Sequence, residues 1–256
     1  DFDQPFAGKS MVMIFEKPST RTRISFDIAA KQLGGSSIIL NPDVIHYGKG
    51  DESIKDTAKV LSEYADIIMM RTSLHKNLAE FAKYSDIPVI NGLSEQSHPC
   101  QIMSDILTFE EIKGNIKDKT ITWLGDGDNN MSNSFIEASA KFGFKLNIGC
   151  PEKYKPNKNI IAWAKKNKAN ITVTKNPNEA VKNADCVMTD KWVSMNDKVD
   201  KKKKKQILKG YQVNKKIMKL AKSDAIFMHC LPVGRGEEAT DEIVDGKQSV
   251  VWTQAL

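Results

Sequence analysis

Ten short runs of four to six residues, rich in Ile and Val, are separated by longer stretches of helical period, and this alternation constrains the chain more than any other feature. Such alternation is the pattern of βαβ units around a parallel sheet. The runs are Met11 to Phe15, Ser37 to Leu40, Asp66 to Arg71, Pro88 to Asn91, Thr120 to Leu124, Lys145 to Cys150, Ile171 to Thr174, Asp185 to Thr189, Ala225 to Cys230 and Val250 to Thr253. Among the helical stretches, Ser53 to Tyr64 carries Ile54, Ala58 and Leu61 at spacings of four and three, continued by Ala65. The fold class is therefore α/β. Single cores stop growing near roughly 250 to 300 residues, so a chain of 256 residues is expected to form two lobes, each a mainly parallel sheet flanked by helices. Four runs precede the helical stretch Pro99 to Lys113. Six follow the polar turn Lys113-Gly114-Asn115-Ile116-Lys117-Asp118, which places the expected domains at residues 1–114 and 115–256.

Composition narrows the possible partners. No run of about 18 apolar residues is present that could span a bilayer. Cys100, Cys150, Cys186 and Cys230 lie far apart with no C-x-x-C pair, which fits free thiols in a reducing compartment better than a disulfide scaffold or zinc ribbon. The first residues show no basic segment followed by an apolar one, so a cytoplasmic location is expected. The net charge of +6 is local: Lys198 to Lys222 holds eleven lysines against one acid, Asp200, and the remaining residues carry a net −4. A nucleic-acid partner at Lys201 to Lys205 would bind with a steep salt dependence. The tract lacks interleaved aromatics and reads instead as a solvated helix face.

Ligands of open α/β sheets sit beyond the carboxyl ends of strands, so the residues after each run carry most of the functional information. After the first run comes Glu16-Lys17-Pro18-Ser19-Thr20-Arg21-Thr22-Arg23, then the amphipathic Ile24 to Leu33. A helix beginning near Thr20 would direct unpaired N–H groups and its dipole at an anion, with hydroxyls and a guanidinium on the same turn, as a phosphate cradle needs. Gly8-Lys9-Ser10 matches only the end of a P-loop, because Asp3 stands where the earlier glycine is required. Arg71 places a cation at the end of the third run. His98-Pro99-Cys100-Gln101 opens a helix, Pro99 suiting its first turn, so that His98 and Gln101 can face a ligand.

In the second lobe, Gly125-Asp126-Gly127-Asp128-Asn129-Asn130 starts like a dinucleotide fingerprint but has Asn130 in place of the third glycine. Its amides suit a polar zwitterion. Asp190 can receive an ammonium group, Ser194 and Met195 offer polar and apolar walls, and Cys230 ends a run just before Leu231-Pro232.

Ser19-Thr20-Arg21-Thr22-Arg23, His98-Pro99-Cys100-Gln101 and His229-Cys230-Leu231-Pro232 occur in that order, with Asp190 to Met195 before the last. Together they resemble the aspartate/ornithine carbamoyltransferase family along essentially the whole chain, and the two later segments are similar to its ornithine branch. The resemblance implies a first lobe for carbamoyl phosphate, a second for L-ornithine, and the products L-citrulline and phosphate. It implies that Ser19, Thr20, Arg21 and Thr22 bind phosphate and that Arg71, His98 and Gln101 bind the carbamoyl end. Asn130, Asp190, Ser194 and Met195 would hold ornithine, with Cys230 and Leu231 beside its side-chain amine and in reach of carbamoyl phosphate. Arg71, His98 and Cys230 are the implied catalytic residues. Tyr47 stands where the family usually has Gln or His reaching into a neighbouring subunit's carbamoyl phosphate site, and Asn196 stands where it usually has Gly. The resemblance further implies a homotrimer or a multiple of trimers, no metal or organic cofactor, no nucleic-acid or membrane partner, and further residues beyond both ends of this chain. A truncated or inactive homologue that binds carbamoyl phosphate or phosphate without turnover is the alternative expectation.

Overall fold

The computed structural model describes residues 3–41, 52–193 and 200–255. Two compact units divide between Cys100 and Gln101. The first contains β1 (Ser10–Phe15), α1 (Arg21–Gln32), β2 (Ser36–Leu40), α2 (Ile54–Tyr64), β3 (Ile67–Arg71), α3 (His75–Tyr84) and β4 (Val89–Leu93). Its four strands are all parallel, in the order β2-β1-β3-β4. The central strand β1 is buried from Met11 to Phe15, whereas the edge strand β2 is partly exposed throughout, which is why the former reads as one apolar run. Alternate β1 residues feed opposite faces. Val12 and Ile14 pack with Ala58 and Phe81, and Met11, Met13 and Phe15 pack with Met69 and Phe26.

α4 (Pro99–Lys113) leads into the second unit, which contains β5 (Thr120–Leu124), α5 (Asn130–Phe142), β6 (Lys145–Gly149), α6 (Lys158–Lys166), β7 (Asn170–Thr174), α7 (Pro177–Val181), β8 (Cys186–Thr189), α8 (Lys201–Leu208), α9 (Lys215–Met218), β9 (Ile226–His229), α10 (Asp241–Val244) and α11 (Val251–Gln254). Its five strands are again parallel, in the order β7-β6-β5-β8-β9. Ile121 and Trp123 of β5 pack with Ile102, Ile106 and Phe109 of α4, while Leu124 joins Val187 and Phe227 on the other face. Among the described residues no helix is long and apolar enough to cross a membrane.

Nine of the ten apolar runs form strands, and the tenth does not. Val250 to Thr253, expected as a strand, lies mostly in the one-turn helix α11. Chain pairing with β9 ends after the isolated bridge Phe227↔Ser249 and the bond from Val250 N to Phe227 O. The chain then turns so that Val251 enters the core and Gln254 is buried, and this packing outweighs the β-preference of Val-Val-Trp-Thr.

The lysine tract also differs from expectation. α8 starts at the cap Asp200, whose side chain accepts from the N–H groups of Lys202 and Lys203. Lys201 to Lys203 are exposed, but Lys204 is buried and its Nζ meets Asp126 Oδ2 at 2.6 Å, with side-chain exposures of 7% and 6%. Replacing Lys204 by Met leaves the Asp126 carboxylate buried without its cation, a loss of about 3 to 5 kcal/mol. Thermal unfolding of Lys204→Met is expected roughly 10 °C below wild type, and an unshifted melting curve would show that the pair contributes nothing.

Candidate active site

In each sheet the strand order reverses direction once, between β1 and β3 in the first unit and between β5 and β8 in the second. The crevice beyond the strand ends at such a switch point is where open α/β sheets bind ligands. The expected site residues that fall in the described chain follow these strands or their neighbours.

At the first switch point, Phe15 pairs with Arg71, so the segment after β1 and the end of β3 lie side by side. α1 begins at Arg21 with Thr20 as its N-cap. The Thr20 side chain makes no capping hydrogen bond, and the first turn contains no acid. The N–H groups of a 12-residue helix therefore open onto Ser19 and Thr20 without an internal acceptor. Arg71 Nη1 donates to Oγ1 of the buried Thr22 at 2.8 Å, which holds its guanidinium over this turn. Burial and the neighbouring Arg21 charge depress the Arg71 pKa, so two cations stand close together here. The nearby carboxylate of Glu16 is already engaged, accepting from Thr72 Oγ1 at 2.7 Å and Ser73 N at 3.0 Å. Arg23 is separated from this set: it donates to Asn41 Oδ1 at 2.6 Å and lies over the Phe15 ring.

The β4–α4 connection positions His98. Asn91 Nδ2 donates to Ser97 Oγ at 3.0 Å, Ser97 N donates to Ser94 Oγ at 3.2 Å, and Cys100 Sγ donates to Asn91 O at 3.3 Å. This closes a tight turn directly before the helix. Burial, then the Arg71 charge, push the His98 pKa down to about 3. Its imidazole is therefore neutral at physiological pH and can donate a hydrogen bond without carrying a charge. Burial raises the Cys100 thiol to about 11, which keeps it protonated.

At the second switch point, two glycines shape the turn for backbone reasons. Gly125 has φ 122°, and a Cβ on Gly127 would lie 2.8 Å from Tyr154 O. The turn is braced by Asp126, whose Oδ1 accepts from Asp128 N and whose carbonyl accepts from Trp123 Nε1. Asn129 caps α5 by accepting from Ser132 N at 2.8 Å, which leaves Asn130 as the first helical residue. Thr189 Oγ1 donates to Leu124 O at 2.8 Å and ties the ends of β5 and β8 together, and Asp190 follows.

Asp190 Oδ1 accepts from Cys230 Sγ at 3.2 Å, which joins the ends of β8 and β9. Leu231 takes a left-handed φ of 54°, rare for a branched residue. Its N–H donates to His229 Nδ1 at 2.9 Å, so the His229 proton sits on Nε2, directed at Glu238 Oε1 at 3.2 Å in a fully buried pair. Asp190, His229 and Cys230 offer donor atoms within 4.8 Å of one another, but both His229 nitrogens are engaged and the thiol is bonded to the carboxylate, an arrangement unsuited to a metal.

The first unit thus gathers Ser19 to Thr22, Arg71 and His98, and the second gathers Asn130, Asp190, Cys230 and Leu231. Gln101 opens the second unit and donates to Asp105 Oδ1 at 2.9 Å. Tyr47, Ser194, Met195 and Asn196 lie outside the described residues. Glu16, Asp105, Lys204, Glu238 and Gln254 support these groups and were not singled out from sequence. The spacing of four between Gln101 and Asp105, one helix face, was the only local signal among them.

The family model described as aspartate/ornithine carbamoyltransferase, carbamoyl-P binding domain, matches residues 1–111, and its Asp/Orn binding domain counterpart matches residues 117–256. An ornithine carbamoyltransferase of Rhodopseudomonas palustris is 54% identical over 255 residues, covering 100% of this chain and 81% of that protein. One of Rhizobium meliloti is 50% identical over 253 residues, covering 99% and 82%. Among solved structures, the ornithine carbamoyltransferase of Pyrococcus furiosus aligns with a TM-score of 0.92 at 44% identity, covering 99% of this chain and 82% of that one. The anabolic enzyme of Campylobacter jejuni aligns with a TM-score of 0.92 at 38% identity, covering 99% and 84%.

Proposed function

The chain belongs to the aspartate/ornithine carbamoyltransferase family, and from that premise we infer that it is an enzyme transferring the carbamoyl group of carbamoyl phosphate to the side-chain amine of L-ornithine, giving L-citrulline and phosphate. The observation that carries the reading is the Arg71–Thr22 hydrogen bond over the uncapped start of α1, a cationic cradle with no acid in its first turn. We assign residues 1–114 to carbamoyl phosphate and 115–256 to ornithine, in keeping with the two family-model ranges.

In this assignment Ser19, Thr20, Arg21 and Thr22 bind the phosphoryl oxygens. Arg71 and neutral His98 face the carbonyl oxygen, with Gln101 at the carbamoyl nitrogen. Asn130, Asp190, Ser194 and Met195 hold ornithine, and Cys230 and Leu231 line its amine. Tyr47 extends the carbamoyl phosphate set. The amine, once deprotonated, attacks the carbonyl carbon and forms the C–N bond as negative charge grows on the carbonyl oxygen. The C–O bond to phosphate then breaks, and one of the two protons on the attacking nitrogen passes to the departing phosphate, the other staying as the N–H of citrulline. Donors fixed at the oxyanion and at the leaving phosphate lower this barrier, because they need no reorganisation as charge develops. Holding both substrates in attack geometry contributes comparably.

The hydrogen bond from Cys230 to Asp190 supports this pair as the place where the ornithine ammonium sheds its proton. Cys230→Ser is expected to shift the pH profile of kcat, and a superimposable profile would remove Cys230 from that role. Citrulline formation from the two substrates by the purified protein tests the activity as a whole, while phosphate binding without citrulline would leave only the inactive alternative.

A homotrimer fits the apolar surface of the first unit, where Ile24, Ile28 and Leu33 on and beside α1 and Ile38 on β2 are exposed. The likeness to the anabolic Campylobacter jejuni protein supports a place in arginine biosynthesis, and the four free cysteines support a cytoplasmic setting.

A further inference from the structure

Asp105 is 1% exposed, yet it carries a carboxyl group inside the second unit. Its Oδ1 accepts two hydrogen bonds, from Gln101 Nε2 at 2.9 Å and from Gln254 Nε2 at 2.6 Å. The amide of Gln254 continues outward: its Oε1 accepts from the N–H of His229 at 2.8 Å, and its backbone carbonyl accepts from Ser104 Oγ at 2.9 Å. Asp105 Oδ2 has no hydrogen-bond partner among the described residues. The same side chain is the only carboxyl group on a small cavity otherwise walled by apolar residues such as Phe109, Phe135 and Met188 and by Cys186. A carboxyl group in such surroundings is costly, and burial outweighs the two amide hydrogen bonds in raising its pKa. Packing alone would favour Leu here.

We propose that Asp105 is a positioning residue for the transfer reaction, its single accepting oxygen fixing the amide of Gln101 on one side and, through Gln254, the end of β9 that carries Cys230 on the other. This inference rests on the roles given above to Gln101 and Cys230. An acceptor at Oδ1 forces the NH2 end of each glutamine toward Asp105. The Gln101 oxygen is then the end presented to a ligand, which suits the NH2 of a carbamoyl group. The Gln254 oxygen is directed at the backbone of His229, which keeps the residue before Cys230 in register. One buried carboxyl group thereby sets two elements that bind different substrates.

The test measures citrulline formation with each substrate varied in turn. Asp105→Leu is expected to raise KM for carbamoyl phosphate roughly tenfold, the effect of about one lost hydrogen bond. Asp105→Asn, which keeps an acceptor at the Oδ1 position, is expected to recover most of that loss. In KM for carbamoyl phosphate, the combination Asp105→Leu with Gln101→Met should be no worse than Gln101→Met alone by more than about twofold, because on that side the two residues act in series. Gln254→Leu should raise KM for ornithine while leaving that for carbamoyl phosphate within about twofold. The inference is overturned if Asp105→Leu keeps wild-type KM values, if Asp105→Asn is as impaired as Asp105→Leu, or if the double substitution multiplies the two single effects on KM for carbamoyl phosphate. Should Asp105→Leu fail to fold, Asp105→Asn and Gln254→Leu still decide: wild-type kinetics in Gln254→Leu, or a tenfold KM rise in Asp105→Asn, sinks it. Absence of citrulline with the wild-type protein would instead overturn the reading of the site itself.

Discussion

Arg71→Ala or His98→Ala is expected to lower turnover at saturating carbamoyl phosphate and ornithine by roughly a hundredfold or more, since losing one fixed donor at a developing oxyanion costs about 3 to 4 kcal/mol of barrier. The two substitutions differ in mechanism. Arg71→Ala removes a charge and also the bond that ties β3 to Thr22, so KM for carbamoyl phosphate should rise along with the fall in kcat. His98→Ala removes a donor that is already neutral, because burial and Arg71 hold its pKa near 3. The acid limb of the pH profile should therefore survive in His98→Ala at the wild-type position. Full turnover in either variant at saturation would exclude that residue from the oxyanion site, and a shifted acid limb in His98→Ala would mean that His98 titrates during the reaction.

Asp105→Asn is expected to change how stability depends on pH. In the folded protein burial raises the Asp105 carboxyl from its ordinary 3.8 to about 7, so between those values the native state holds a proton that the unfolded chain has released. Stability contributed by the protonated form is complete at low pH and is lost as pH rises through this window. The cumulative loss is on the order of 4 kcal/mol by about pH 8. Asparagine cannot ionise, so the unfolding free energy of Asp105→Asn should lack this decline, and the two stability curves should diverge from about pH 4 to pH 7. His98 acts in the opposite sense, because its lowered pKa means that stability falls as pH drops below its ordinary 6.5. Wild type and Asp105→Asn share that effect, so their difference isolates Asp105. Urea titrations across this range measure it, and parallel curves would show that the buried carboxyl has an ordinary pKa.

Much of the fold was legible because central parallel strands are buried on both faces and leave continuous apolar runs. β1 and β5 show this clearly, and the residues following them include the uncapped start of α1 and the turn that leads to Asn130. α4 matched its expected bounds from Pro99 to Lys113, since proline suits the first turn of a helix. Val250 to Thr253 misled because β-branched residues in a short run record local preference, while burial of Val251 and Gln254 set the helix. Lys204 misled for a related reason. Composition marks a lysine tract as solvated, and only the placement of α8 against the Asp126 turn selects one of its members for burial.

Determined by the sequence itself are the α/β alternation, the helix start at Thr20 with its hydroxyls and arginines, and the segments that mark the family, all of which act within a few residues of chain. The tertiary structure alone decided which of these meet. Arg71 reaches Thr22 across 49 positions because β1 and β3 are neighbours at a switch point, and Gln254 reaches Asp105 across 149. Strand order and burial set such contacts, and neither leaves a local periodicity. A lone Asp four residues after Gln101 therefore looks ordinary in the sequence, and its weight becomes visible only when both partners converge on one buried oxygen.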